Sequence, residues 1–333
     1  MYTALPLLDK ALQVLEELPC IADAHVHLLD RRSPWELALE LASYRISLAQ
    51  VIEIRPPIQL VSEKASRLLP RAWKLSHPVL EKLAPWLLEH YESPGRLLTE
   101  TVMFLSRFRA IDPKEAAATS GADLVVYADP EPSAGAMEAY SRARGRLSSG
   151  YRGLKLITTL HMVWPDSKEV EAVFEAANER AAPILVHAGC DPGLWELPAF
   201  CALGNPAKLE QYIAVYRDVP VIIAHCGGYS AAAPGVYTRE AIELARRYPN
   251  VYLDTSAVPL EVLEIVLGSL PPERILHASD YPVVEEDTPA RSAARLAAAA
   301  ISRGVTGRRA LEAMMYQNLE EILGQQCRPI EPP

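Results

Sequence analysis

From residue 120 onward, short apolar runs rich in Val, Ile and Leu alternate with longer stretches of helical periodicity, the pattern of repeated βα units around a parallel sheet. The runs predict strands at Leu124 to Ala128, Gly153 to Ile157, Pro183 to His187, Val219 to His225, Val251 to Thr255 and Arg274 to Asp280. Between them, Lys168 to Ala181, Arg239 to Tyr248, Pro259 to Ser269 and Ala290 to Arg303 read as helical crossovers. A further strand, Ile21 to Leu29, follows an amphipathic segment, Leu5 to Leu18, expected to cap the bottom of a barrel. Seven strands are clear, and the eighth falls between Asp30 and Ser120, where Val51 to Ile54 and Val102 to Leu105 are both weak candidates.

Most of that stretch reads as helix broken by prolines (Pro34, Pro56, Pro57, Pro70, Pro78, Pro85, Pro94). The expectation is one α/β domain over residues 1–333, a (β/α)8 TIM barrel with a helical insertion after strand 1, at about 31–118. An insertion there would sit over the barrel mouth.

Composition narrows the function. The 50% apolar and 23% charged residues are those of an ordinary globular protein with a full core. A net charge of −9 argues against nucleic acid and favours a small-molecule partner. There is no membrane-length apolar run, and Asp9, Lys10, Glu16 and Glu17 interrupt the N-terminal segment, so no membrane partner and a cytoplasmic location are expected. Barrels of this size often form homo-oligomers, and no sequence feature locates an interface. Cys20, Cys190, Cys201, Cys226 and Cys327 are odd in number and form no C-x-x-C pair, so they read as reduced thiols.

The chemistry lies at the strand ends. In Ile21-Ala-Asp-Ala-His25-Val-His27, alternation puts Asp23, His25 and His27 on one face, the imidazoles at its C-terminal end. Others finish as Val-His187-Ala-Gly, Ala-His225-Cys-Gly-Gly and His277-Ala-Ser-Asp280-Tyr-Pro. One strand-end histidine is usually structural, but in a barrel these ends converge on one mouth. Imidazole nitrogen and carboxylate oxygen are suitable zinc ligands around an open position for water. Asp23 reads as a support for the ligands. Lys155, in an apolar strand, is costly to bury unpaired and should point into the mouth, to pair with a carboxylate, orient water or become carbamylated between two metals, unless it snorkels to solvent.

Taken in order, Asp-Ala-His25-Val-His27, Gly-Leu-Lys155-Leu, Val-His187-Ala-Gly, Ala-His225-Cys-Gly-Gly, Tyr-Leu-Asp-Thr-Ser256, Ser-Asp280-Tyr-Pro282 and Asn318-Leu-Glu-Glu-Ile-Leu resemble the amidohydrolase superfamily. The likeness is to its branch containing aminocarboxymuconate semialdehyde decarboxylase and related TIM-barrel hydrolases, and it spans nearly the whole chain except the insertion. It implies that His25, His27, His187 and Asp280 bind one divalent metal, usually zinc, with His225 beside the activated water and Asp280 accepting its proton. In a two-metal arrangement His225 and a carbamylated Lys155 would join the ligands. Two departures stand out. The Gly-x-Lys-Leu run continues Ile157-Thr-Thr-Leu-His161 where His-Pro is frequent, and His277-Ala-Ser replaces the usual Phe-Gly-Ser.

Two reactions fit. One is hydrolysis of a small-molecule amide, lactone or ester through a metal-activated water, with Asp280, His225 and Lys155 as catalytic groups. The alternative is non-oxidative decarboxylation of an aromatic or unsaturated acid at the same site, with Arg107 and Arg109 read either as ordinary surface charges or as partners for its carboxylate. A metal-free binding barrel is the third reading. Trp164, Trp195 and Tyr229 either line the pocket or pack the insertion.

Overall fold

The computed structural model describes residues 4–329 except 31, 192, 285 and 286. Eight parallel strands lie side by side in chain order: β1 (Ala22–His27), β2 (Leu48–Ile52), β3 (Asp123–Ala128), β4 (Gly153–Leu156), β5 (Ile184–Val186), β6 (Val221–Ile223), β7 (Val251–Asp254) and β8 (Ile275–Leu276). The ring closes between β8 and β1, where Ala24 N–H donates to His277 O (3.0 Å) and His27 N–H to Tyr281 O (2.7 Å). This is the TIM barrel that the βα pattern predicts.

Alternate strand residues enter two separate cores, which is why the strands read as continuous apolar runs. Ala49, Val51, Val126, Leu154, Val186, Ile223 and Leu253 pack outward beneath the helices. Leu48, Ile52, Val125, Tyr127, Leu185, Ile222 and Leu276 fill the second cluster. Gly153 has a specific steric reason: a Cβ there would lie 2.5 Å from the Tyr127 ring, so the neighbouring strand must carry no side chain.

The eighth strand corrects the expected position of the insertion. It is Leu48–Ile52, overlapping the Val51 to Ile54 candidate and paired to both β1 and β3, whereas Val102 to Leu105 lies in a helix. Helix α1 (Ala4–Glu16) packs on Pro289–Ser302, and α2 (Pro34–Ser43) is the ordinary crossover from β1 to β2. The extra helices therefore follow β2: α3 (Ile58–Leu83), α4 (Pro85–Tyr91) and α5 (Pro94–Leu105). Val61, Ala65, Leu69 and Ala72 form an apolar stripe on α3 at helical spacing. That stripe joins Leu97 and Leu105 of α5, Leu160, Trp195 and Phe200 in the second cluster, so the insertion covers the barrel mouth.

The cysteines also depart from expectation. Cys20 is joined to Cys327 and Cys190 to Cys201, while Cys226 is free and buried. Partners 307 residues apart leave no spacing signature. Among the described residues no helix is long and apolar enough to cross a membrane.

Candidate functional site

The register of β1 against β2 shifts between Asp23 and Val26, so plain alternation does not hold through the strand. Asp23 turns to the end of β8, where its carboxylate accepts from Ser279 N–H (3.0 Å), Ser279 Oγ–H (2.6 Å) and His25 N–H (3.1 Å). It braces the loop that carries Asp280. Past that irregularity, His25 and His27 bring their Nε2 atoms to 3.1 Å from one another.

After β8 the chain enters the left-handed region at Asp280 (φ 64°), and a cis peptide links Tyr281 to Pro282. Asp280 N–H donates to His25 O at 2.8 Å, which ties this turn to β1. Asp280 Oδ1 then lies 3.0 Å from His27 Nε2 and 3.5 Å from His25 Nε2. Three buried electron-pair donors from opposite ends of the sequence thus meet within the span of one cation's ligand sphere.

The other nitrogen of His25 explains its orientation. Nδ1 is 3.0 Å from Asp254 Oδ2, so the ring carries its proton there and presents a lone pair at Nε2. Asp254 also accepts from His225 N–H (2.8 Å), Ser256 N–H (3.1 Å) and Ser256 Oγ–H (2.5 Å). It is fully buried at the end of β7, and His25, His225 and Asp254 form a second close donor group. His225 and Cys226 follow β6 with φ of 56° and 47°, a conformation L residues adopt at a cost of about 1 kcal/mol or more each. His225 Nδ1 faces the Ser256 carbonyl at 3.1 Å, which places the proton on Nδ1 and leaves Nε2 as an acceptor. Its ring stacks on Tyr229, 4.4 Å between centroids.

Lys155 is almost wholly buried, with Nζ 3.0 Å from His25 Nε2. His187 lines the same cavity with its ring 5.0 Å from that of His225, outside the tight His25, His27, Asp280 group. Its Nε2 lies 3.1 Å from Asp191 Oδ2 but off the hydrogen-bonding direction, leaving a buried nitrogen without a hydrogen-bond partner.

Burial sets the charge states. It lowers His25 to about 3, with the Lys155 ammonium adding to the effect, and lowers His225 to about 4. His27 is lowered for the same reason. Burial would raise Asp280 and Asp254, but the adjacent histidines, His25 foremost, outweigh it and hold both below the usual carboxylate range. Burial depresses Lys155 to about 8 against the pull of Asp254, Asp280, Asp191 and Asp129. At neutral pH the site therefore offers uncharged imidazoles and ionised carboxylates, the forms that ligate a divalent metal.

The cavity above these groups has a volume of about 290 Å³. The barrel supplies its polar floor, and Tyr91, Phe104, Leu105 and Phe108 of the insertion wall it in. Trp195 and Tyr229 line it; Trp164 instead stacks under Lys208 at the surface. Arg107 is paired to Asp30 (3.0 Å), Arg109 donates to Asp30 O, and neither lines the cavity. His161 is buried between Asp129 (3.0 Å) and Ser133 (2.9 Å), and His277 lies against Ala22 O (2.6 Å), so both departures from the family pattern fall off the cavity wall.

Residues 114–325 match the family model described as Amidohydrolase. Similar solved structures include a TIM-barrel protein from Bordetella bronchiseptica at 15% identity and TM-score 0.56, covering 92% of this chain and 98% of that one. Another is 5-carboxyvanillate decarboxylase from Sphingomonas paucimobilis at 14% identity and TM-score 0.54, covering 93% and 100%. A third is 2,6-dihydroxybenzoate decarboxylase from Rhizobium at 10% and 0.53, covering 92% and 99%. No curated protein matches the chain.

Proposed function

Because the chain belongs to the amidohydrolase family, we propose that it is a metal-dependent hydrolase acting on a small-molecule amide, lactone or ester. The observation that carries this reading is the meeting of His25 Nε2, His27 Nε2 and Asp280 Oδ1 within 3.5 Å, with the first imidazole oriented from behind by Asp254. Three acceptors so close repel one another unless a cation or proton lies among them; Lys155 Nζ reaches only His25 Nε2, at 3.0 Å, whereas a divalent ion would satisfy all three. Two nitrogens and one carboxylate oxygen suit zinc and leave coordination positions open. His187 stands by to complete the set, and a second ion would draw on His225 and a carbamylated Lys155.

A bound divalent ion supplies Lewis acidity and an activated water. The side chains do the rest. Asp280, held as the anion, accepts a proton at its carboxylate, and His225, with Nε2 free, is a second base that can return a proton to the leaving group. The Lys155 ammonium, buried on the cavity floor, favours negative charge developing on the attacked carbonyl oxygen. The insertion walls limit the access of bulk water.

One observation favours the decarboxylase reading: Lys155 is a cation inside the cavity that an acid substrate would meet. Metal content of the purified protein, followed by a screen of lactones, amides, esters and hydroxybenzoates recording acid and carbon dioxide separately, tests the proposal. Carbon dioxide without hydrolysis products would replace it. A protein that takes up no metal and is unchanged by His25→Ala would return it to a binding barrel.

A further inference from the structure

The walls and the charge of the cavity carry information that the metal centre does not. Among the described residues that line it, Lys155 is the only lysine or arginine. Asp191 and Asp280 line the cavity with it, and Asp254 lies behind His25. A divalent ion and Lys155 together would only balance these carboxylates and leave no spare positive charge. Glu100 adds a further carboxylate at the rim, held by Arg96 at 2.9 Å and by His90 at 3.2 Å. The two arginines nearest in sequence, Arg107 and Arg109, are committed to Asp30. Apart from Thr101 and the tyrosines Tyr91 and Tyr229, the remaining surface is apolar, with Ile54, Phe104, Phe108, Leu160 and Trp195 lining the space in which the body of a substrate would lie.

An anionic group on the substrate body would lose hydration against the apolar wall, where no lysine or arginine is placed to pair with it and Lys155 is already engaged at the floor. An aromatic or aliphatic body would bury its apolar surface favourably against these side chains. We propose that the cavity selects substrates whose reacting ester, lactone or amide carries an uncharged aromatic or aliphatic body, and that it rejects bodies bearing a free carboxylate. This rests on the hydrolase reading and narrows it. The selecting residues come from the insertion and the loops, since the barrel floor is taken up by the metal-binding and catalytic groups.

The test uses paired compounds with the same reacting group. Zinc-loaded protein is titrated calorimetrically with benzohydroxamate and with 4-carboxybenzohydroxamate, which present the same metal-binding head on neutral and anionic bodies. Hydrolysis of 4-nitrophenyl butyrate is compared with that of mono(4-nitrophenyl) glutarate. The neutral member of each pair is expected to be favoured at least tenfold. Phe104→Arg on α5 and, separately, Tyr91→Arg on α4 place a cation in the wall, and each folded variant should cut that preference at least tenfold. Equal or reversed affinity for the two hydroxamates, or folded variants that leave the ratio unchanged, overturns the inference even if hydrolysis is observed. A neutral preference in binding with no turnover of any neutral ester, lactone or amide would support the cavity assignment and remove the hydrolase reading.

Discussion

Asp254 lies behind the reacting centre, and four donors end on its carboxylate. Asp254→Asn cannot accept the His25 Nδ1 proton as an anion does, so zinc affinity should fall about 10- to 100-fold with the fold retained, a result that calorimetric titration and circular dichroism would check together. His277 makes a different prediction. Burial lowers it to about 4, while an unfolded histidine titrates near 6.5. A depressed value means stability that is present above 6.5 and lost as pH falls through 4, because the unfolded chain binds the proton first. Between pH 7 and pH 5 this one group should cost about 2 kcal/mol. His277→Phe should flatten the acid limb of the stability profile by that amount in urea unfolding. His25, His27 and Asp280 were legible in the sequence because each closes or follows an apolar run. Asp254 is not legible as a site residue within Tyr-Leu-Asp-Thr-Ser256, since nothing local marks an aspartate whose partner lies 229 residues away.

Among the elements, the loops after β5 and β6 are locked backbone to backbone. Gly189 has a φ of 124°, and a Cβ there would lie 2.3 Å from Tyr229 O. Gly189→Ala should therefore destabilise the protein by roughly 2 kcal/mol or more in urea unfolding. Because Tyr229 stacks on His225, it should also lower kcat without a comparable loss of bound zinc. Strands β5, β6 and β8 are readable as unbroken Val, Ile and Leu runs, as expected where both faces are covered, and β3, β4 and β7 keep the signal around Tyr127, Lys155 and Tyr252. β2 is not, because its short run lies beside a long stretch of helical periodicity that dominates the local pattern. That stretch looked like a departure after the first strand when it is one after the second. The irregularity in β1 was hidden for a related reason: a register shift belongs to the pair of strands, and one sequence run does not contain it.

For the whole molecule, an ion bound by His25, His27 and Asp280 would clamp the seam between β1 and β8 where the barrel closes. Zinc at about a thousandfold excess over its dissociation constant should stabilise the fold by roughly 4 kcal/mol, seen as a raised thermal midpoint. That shift should vanish in Asp280→Ala. The barrel class was legible from the βα period alone, but the cysteine pairing was not, because Cys20 and Cys327 come together only once the ring has formed. Their bond has a topological effect. It turns the backbone between them into a covalent loop, so a single protease nick within α3 or α4 yields two pieces that still travel as one. Such a nicked protein should run at full mass on a gel without thiol and split into two bands once reductant is added.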